Sequence, residues 1–179
     1  MRRKKKNIPD VLRSSLGVPV EQWTSLVHVQ GSDFAYRADE NVQIYLAVTS
    51  CSLFVMVITS EEKSIVEYKW TEIASASWNH ENRSLNIVFV DSLELLCCLP
   101  DDDSADITPC VRSYIEHSIY YRYYAQLPST KRDVVFLIRR QCDNSLIIQC
   151  LGNNEFTKEE EKDYQQVLLY LKDFAGIDT

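Results

Sequence analysis

The stretch that decides the fold is YKWTEIASASWNHENRSLNIVF (Tyr68–Phe89). Apolar and polar residues largely alternate in three runs, 64–70, 73–79 and 83–90. The stretch overlaps the end of the first run and covers nearly all of the other two. A period of two is typical of strands, because successive side chains point to opposite faces of a sheet. The turn Asn79–Asn82 is long enough for a hairpin and too short for a parallel crossover. The stretch therefore predicts consecutive antiparallel strands.

Four further strand-like runs lie on either side of this stretch: 23–31, 41–49, 51–59 and 92–99. Short connections that carry turn residues join them, which favours a meander of neighbouring strands. Seven antiparallel strands in about 80 residues are enough to fold over as a sandwich or a partly open barrel.

A helix is expected after the acidic loop 101–106. Thr108 can cap its N-terminus with Pro109 in the first helical position, where the missing N–H of proline costs nothing. Apolar or aromatic residues then recur at every fourth position, at Val111, Ile115, Ile119 and Tyr123. The helix is predicted to run to Gln126 and to stop before Pro128.

The C-terminal part of the chain predicts two strands and a last helix. The runs 133–140 and 145–152 flank a short turn, as in a hairpin. Thr157 and Glu160 have the spacing of a capping box, and Gly176 supplies a stop for the helix. A ββα extension is therefore expected after the seven-stranded part.

Charge is unevenly distributed along the chain, which has a net charge of −7 from 19 basic and 26 acidic residues. Five of the basic residues are consecutive, and they are Arg2, Arg3, Lys4, Lys5 and Lys6. The rest of the chain keeps 14 basic residues against all 26 acidic ones, a net charge of −12. An acidic body repels phosphate backbones, which argues against a large nucleic-acid footprint. The basic run predicts a solvated tail, a contact with an anionic membrane or a nuclear localisation signal, ahead of a short helix between Pro9 and Gly17.

The six cysteines are expected to be free thiols. Four of them lie in apolar runs, at Cys51, Cys97, Cys98 and Cys150. In such runs a thiol packs as a small hydrophobic group. No Cys-x-x-Cys pair occurs, and no signal peptide is visible at the N-terminus. We therefore predict a reducing compartment, the cytoplasm, with the nucleus as an alternative.

The sequence carries no recognisable enzyme motif. It has no G-x-S-x-G, no H-E-x-x-H and no glycine-rich phosphate loop, and only four glycines in total. His117 follows Cys110 by seven residues, about 10 Å along a helix, which is too far for a hydrogen bond. We expect no catalytic residue, no metal ligand and no cofactor, and keep an enzyme with an unrecognised site as an alternative.

Seven antiparallel strands closed by one amphipathic helix resemble the pleckstrin-homology (PH) superfold, which includes phosphotyrosine-binding domains and the third lobe of FERM domains. The resemblance covers residues 23–126, and a Trp-x-x-Ile element from Trp70 to Ile73 carries it. The same stretch is similar to the module between the GTPase-activating and PDZ parts of the spine-associated Rap GTPase-activating family. The resemblance implies a seven-stranded PH-like sandwich or barrel closed by its helix, and the ββα extension is not part of the standard superfold. Together with the patterns at the two ends of the chain, it predicts an α+β chain of three parts: a basic tail with a short helix, 1–19, the PH-like domain, 20–127, and the ββα extension packed on the same core, 128–179.

Members of this superfold bind phosphoinositides, peptides laid along a strand edge, or small GTPases. The lipid-binding members use lysine and arginine in the connection between the first two strands. Here that connection, 31–41, carries Arg37 alone against Asp33, Asp39 and Glu40. A phosphorylated inositol needs several cationic donors, so specific phosphoinositide binding is not favoured.

The candidates for contact with a protein partner are Tyr120, Tyr121, Tyr124, Arg139 and Arg140. Tyrosine is enriched at interfaces because it combines apolar area with a polar tip. The alternative for the tyrosines is packing between the body and the extension. The alternative for the two arginines is a role as solubilising strand ends, since adjacent residues of a strand point to opposite faces.

We therefore predict a non-enzymatic, intracellular protein–protein interaction module of an adaptor, scaffold or GTPase-regulatory assembly, with a peptide or a small GTPase as its partner. One alternative is a membrane-recruitment module in which the basic tail, Arg2 to Lys6, contacts anionic lipids. Another is an acidic chaperone of basic proteins, which a net charge of −12 outside the tail would suit.

Overall fold

The computed structural model describes residues 7–32, 34–100, 104–152 and 155–177. Within these residues the chain forms three antiparallel sheets together with α-helices, so the prediction of an antiparallel α+β fold is confirmed. The strands are β1 (Gln22–Leu26), β2 (His28–Gln30), β3 (Ala35–Arg37), β4 (Gln43–Val48), β5 (Ser52–Ile58), β6 (Lys63–Lys69), β7 (Ile73–Asn79), β8 (Ser84–Phe89), β9 (Glu94–Cys98), β10 (Ile119–Gln126), β11 (Asp133–Arg140) and β12 (Leu146–Cys150). The helices are α1 (Asp10–Leu16), α2 (Ser104–Ser118) and α3 (Lys158–Ala175).

The first sheet has the strand order β1-β4-β5-β6. Strand β5, one of its two inner strands, is apolar on both faces, and both faces are buried. Leu53 and Val55 point into the main core, whereas Phe54 and Met56 pack under α1 with the fully buried Leu12. The short α1 lies where the spacing of Pro9 and Gly17 predicts it, and Gly17 takes the left-handed conformation that ends it.

The second sheet has the strand order β3-β2-β9-β8-β7. The single strand expected at 23–31 is divided at Val27, so β1 belongs to the first sheet and β2 to the second. The Val27 N–H donates to the carbonyl of Cys98 at 2.9 Å, which begins the pairing of β2 with β9. The sequence did not predict β3, which pairs with β2 inside the connection 31–41.

A 3₁₀ turn at Trp70–Glu72 carries the chain from the first sheet to the second. The buried Trp70 indole N–H donates to the Thr49 carbonyl at 3.0 Å, and the Glu72 carboxylate accepts from the Lys69 N–H at 2.9 Å. Burying the indole is favourable because its one polar group is paired. This corner closes one end of a core that both sheets and α2 share.

Helix α2 differs from its prediction at both ends. It begins at Ser104 instead of Thr108, so that Pro109 lies inside the helix. The earlier start buries Ile107 on the same stripe as Val111, one turn further on, which favours a helix despite the proline. Its end at Ser118 instead of Gln126 is also a correction, because 119–126 forms strand β10.

The third sheet has the strand order β10-β11-β12, so the expected ββα extension is a βββα unit. The spacing of the apolar residues in 119–126 is compatible with a helix and with a strand. The segment forms a strand because its backbone pairs with β11 along its length. The expected boundary at 127/128 falls between these two paired strands. Helix α3 covers one face of the sheet, and its predicted capping box is confirmed by hydrogen bonds in both directions between Thr157 and Glu160.

Arg139 connects the third sheet to the corner between the first two. Its side chain is fully buried, and its guanidinium donates to the carbonyl of Trp70 and, at 2.7 Å, to that of Ile73. Burial, together with the nearby charge of Arg122, lowers the pKa of Arg139 to about 10, so it stays charged at neutral pH. A further bond from the Gly152 N–H to the carbonyl of Val90, 3.0 Å long, joins the same two parts.

Replacing Arg139 tests whether volume or charge stabilises this contact. We expect Arg139→Ala to lower the free energy of unfolding by about 3 kcal/mol, because it leaves a cavity in a buried contact. Arg139→Met fills similar space without a buried charge, so we expect a loss of no more than about 1 kcal/mol. Chemical denaturation of both variants measures the difference. Equal losses would mean that the hydrogen bonds to Trp70 and Ile73, and not the filled volume, stabilise the contact.

Candidate functional site

Strand β10 is an edge strand of the third sheet and carries the tyrosines predicted to bind a partner. Tyr120, Tyr121 and Tyr124 expose 53%, 41% and 69% of their surface. They lie on a strand and not, as predicted, around a helix, so they alternate between the two faces of the sheet instead of forming one patch.

One face of β10 continues into α3 as an aromatic surface, which we define as Tyr121, Tyr123, Tyr170 and Phe174. The rings of Tyr121 and Phe174 are 5.0 Å apart between centroids, and those of Tyr123 and Tyr170 are 5.8 Å apart. Tyr170 and Phe174 lie one turn apart on α3, and more than half of each side chain is exposed. Aromatic rings that solvent can reach in this way are typical of contact surfaces.

The other face of β10 carries Arg122 and Tyr124, both exposed. Tyr120 lies at an irregularity in the register with β11, where the guanidinium of Arg140 stands 5.8 Å from the centre of its ring. Exposed aromatic groups therefore flank the edge of β10 on both sides.

The two arginine candidates separate, because adjacent residues of β11 point to opposite faces. Arg140 remains partly exposed beside Tyr120. Arg139 is fully buried in the contact with the corner, so it cannot belong to an exposed partner-binding surface. Residues on both faces of β11 are buried, because α3 packs on one face and the corner contacts Arg139 on the other. The membrane and localisation candidates Arg2, Arg3, Lys4, Lys5 and Lys6 lie outside the residues that the structure describes.

Two of the six cysteines form a disulfide, Cys51–Cys142, which corrects the expectation that all are free thiols. It joins the turn before β5 to the β11–β12 hairpin across 91 residues of sequence, which is why no local motif indicated it. The disulfide lines a cavity of about 550 Å³ together with Lys69, His117 and Arg140. By contrast, Cys97 and Cys150 are buried as predicted, and burial raises the pKa of both thiols.

Tyr114 connects α2 to the corner and to the segment before β1. Its ring stacks on that of Trp70, with 5.1 Å between centroids and 12° between planes, and its hydroxyl donates to the carboxylate of Glu21. Partial burial and the hydrogen bond to Glu21 raise the pKa of Tyr114 to about 12.

Other classes of site receive no support from the described residues. In ranges 7–32, 34–100, 104–152 and 155–177, no three His, Cys, Asp or Glu residues are grouped as metal ligands would be. The helices in the same ranges lack the length and apolar character needed to cross a bilayer.

No protein-family model matches the chain, and no curated protein shows significant sequence similarity to it. The aromatic surface and the edge of β10 are therefore interpreted from their geometry.

The disulfide should contribute measurably to stability. Reduction of Cys51–Cys142 is expected to lower the free energy of unfolding by about 2–4 kcal/mol, because the bond closes a long loop in the unfolded chain. Urea denaturation with and without reductant measures the loss. Cys142→Ser is the control and should have the stability of the reduced protein whether or not reductant is present. An equal effect of reductant on both proteins would contradict the disulfide as the source.

Tyr114 should make the protein sensitive to alkaline pH. Its pKa is raised in the folded state, so its contribution to stability is complete below pH 10 and is lost as the pH rises from 10 to about 12. We expect the melting temperature of Tyr114→Phe to fall less steeply over this range than that of the unchanged protein. Parallel curves would contradict the role of the Tyr114 hydroxyl.

Proposed function

We propose that the chain is a non-enzymatic protein–protein interaction module of an adaptor, scaffold or GTPase-regulatory assembly, and that it binds an extended partner segment as an added strand along β10. The observation that carries this proposal is an eight-residue edge strand whose exposed side chains are mostly tyrosines. Strand addition uses the unpaired backbone groups of an edge for affinity and the flanking side chains for specificity.

A PH-like body is part of the proposal, and the strand order supports it. If β1 and β2 are counted as one bent strand and β3 as an insertion, seven strands form two sheets, and β2 pairs with β9 to close the second sheet. Helix α2 then follows the last strand and packs into the shared core. The third sheet is an addition to this arrangement, and it carries the proposed binding edge.

The other long edge strands are β6 and β7. Strand β6 exposes Lys63, Glu67 and Lys69 beside Ile65, and strand β7 has a register irregularity between Ile73 and Ser75. Charged residues and irregularities on an edge are a usual protection against added strands. Strand β10 has a register irregularity at Tyr120, but its one charged side chain is Arg122. A long edge with so few charges is prone to unwanted pairing unless a partner covers it.

The aromatic surface would add specificity to the backbone pairing. An incoming strand beside β10 would place alternate side chains over Tyr121 on one face and over Tyr124 on the other. Both rings offer large apolar area at low entropic cost, because a tyrosine has only two side-chain torsions to fix. We therefore expect the partner segment to carry apolar residues at alternate positions.

The proposal is tested by charging the edge. Pull-down from cell lysate compares the unchanged protein with the double variant Tyr121→Lys and Tyr124→Lys, and hydrogen exchange on the isolated complex locates the contact. We expect a specific protein that protects the amides of β10 and is lost, by at least about tenfold in recovery, with the double variant.

The matched control carries Ser75→Lys and Ser77→Lys on the edge strand β7, which adds the same charge to another sheet. It should retain the partner. A partner retained equally by both double variants, or protection confined to another surface, would contradict strand addition at β10. A partner lost only on deletion of residues 2–6 would favour the basic tail as the binding element.

A further inference from the structure

A cavity of about 570 Å³ lies where the second sheet, the corner and the third sheet meet. We call it the acidic cavity and define it by three carboxylates and three aromatic rings that line it: Glu72, Asp91, Glu94, Phe34, Tyr68 and Phe89. Its volume falls in the range of about 300–1,000 Å³ that is typical of binding sites for small groups. It is separate from the edge of β10, because β12, which borders the cavity, is the opposite edge of the third sheet.

The charge of the acidic cavity has one sign. No lysine, arginine or histidine is found among the described residues that line it. The three carboxylates accept hydrogen bonds from the Lys69 N–H at 2.9 Å, the Leu93 N–H at 3.1 Å and the Asn86 amide at 3.3 Å, respectively. Each of these bonds uses one oxygen and leaves acceptor capacity on the other. None of the three carboxylates forms a salt bridge within the described ranges, so no described residue pairs with their charges.

The aromatic rings supply a second feature that suits a cation. The rings of Tyr68 and Phe89 are 4.8 Å apart between centroids. Phe34 is held over Gly31 so closely that a Cβ on this glycine would lie 2.8 Å from the ring. The Gly31 N–H also donates to the carbonyl of Phe34 at 2.8 Å, which fixes the turn that carries the ring. The faces of aromatic rings attract ammonium and guanidinium groups.

Gln149 and Tyr68 also line the cavity. The side-chain oxygen of Gln149 is shielded from solvent and accepts no hydrogen bond from the described residues, so a ligand in the open cavity does not reach it. Burial, with Cys97 and Glu72 nearby, raises the pKa of the Tyr68 hydroxyl. The carboxylates and the aromatic rings are therefore the groups that a ligand in the cavity would contact.

We propose that the acidic cavity binds the side chain of an arginine or lysine that a partner polypeptide presents. Either side chain combines a long apolar stem, which suits the aromatic wall, with several N–H donors for the carboxylates. Leu93 lies on the rim with 48% of its surface exposed, where it can contact a neighbouring residue of the same polypeptide. The proposal does not rest on strand addition at β10, since the two sites share no residue.

Binding is tested by following the backbone amides in NMR titrations with short peptides. The probes are acetyl-Ala-Arg-Ala-amide, acetyl-Ala-Lys-Ala-amide and a neutral control in which citrulline replaces arginine. We expect the amides of Gly31, Phe89, Leu93 and Gly152 to shift with the two charged probes and not with the citrulline probe. Equal shifts with all three probes, or shifts confined to residues remote from the cavity, would overturn the proposal.

Variants separate the cavity from the general negative charge of the protein. In the double variant Asp91→Asn and Glu94→Gln, both side chains keep a carbonyl oxygen for their hydrogen bonds, and affinity for the arginine probe should fall about tenfold. The control Glu61→Gln and Glu62→Gln removes the same charge from the β5–β6 turn and should leave affinity unchanged. Equal losses in both would attribute binding to net charge and overturn the proposal.

A third variant keeps this proposal separate from the proposed function. The double variant Tyr121→Lys and Tyr124→Lys changes only the edge of β10, so it should bind the arginine probe as the unchanged protein does. Loss of probe binding in this variant would contradict a site at the acidic cavity. Unchanged binding of the arginine probe would support the acidic cavity whether or not a partner of β10 is found in the lysate.

Discussion

The three sheets depend on one buried tryptophan at the corner between the first two. The indole N–H of Trp70 is paired with the carbonyl of Thr49, its ring is stacked on Tyr114, and its own carbonyl accepts from Arg139. A buried polar group that loses its partner is costly, so each of these contacts constrains the next. Trp70 therefore contacts the first sheet, helix α2 and the third sheet at once, and its contacts fix their positions relative to one another.

The third sheet links this corner to both proposed sites. One edge, β10, exposes tyrosines and Arg122, whereas the other edge, β12, supplies Gln149 to the wall of the acidic cavity. The central strand β11 is covered on both faces, by α3 and by the body. A partner that used both edges would have to present an extended apolar segment and a basic side chain on opposite sides of this one sheet. The contact through Arg139 would then determine the distance between the two sites.

Local patterns predicted the elements whose formation depends on neighbours in the chain. The bounds expected for 73–79 and 133–140 agree with β7 and β11, and the capping box of Thr157 and Glu160 lies where its spacing indicated. The segment 119–126 shows where such patterns fail. The spacing of its apolar residues fits a helix and also fits a strand. Only the hydrogen-bonded pairing with β11 distinguishes a strand from a helix here, and that pairing depends on residues outside the segment.

By itself the sequence determined the antiparallel α+β class, the strand-like runs, both ends of α3 and the separation of a basic tail from an acidic body. These follow from periodicity, capping and charge, which act over a few residues. The tertiary structure alone decided that Arg139 is buried, that Cys51 meets Cys142, and that three carboxylates converge on one cavity. The contacts of Arg139 and the disulfide join residues far apart in the chain, and the carboxylates meet only once the hairpin of β7 and β8 has formed. The free energy that brings these groups together comes from packing the whole core, which no short stretch contains.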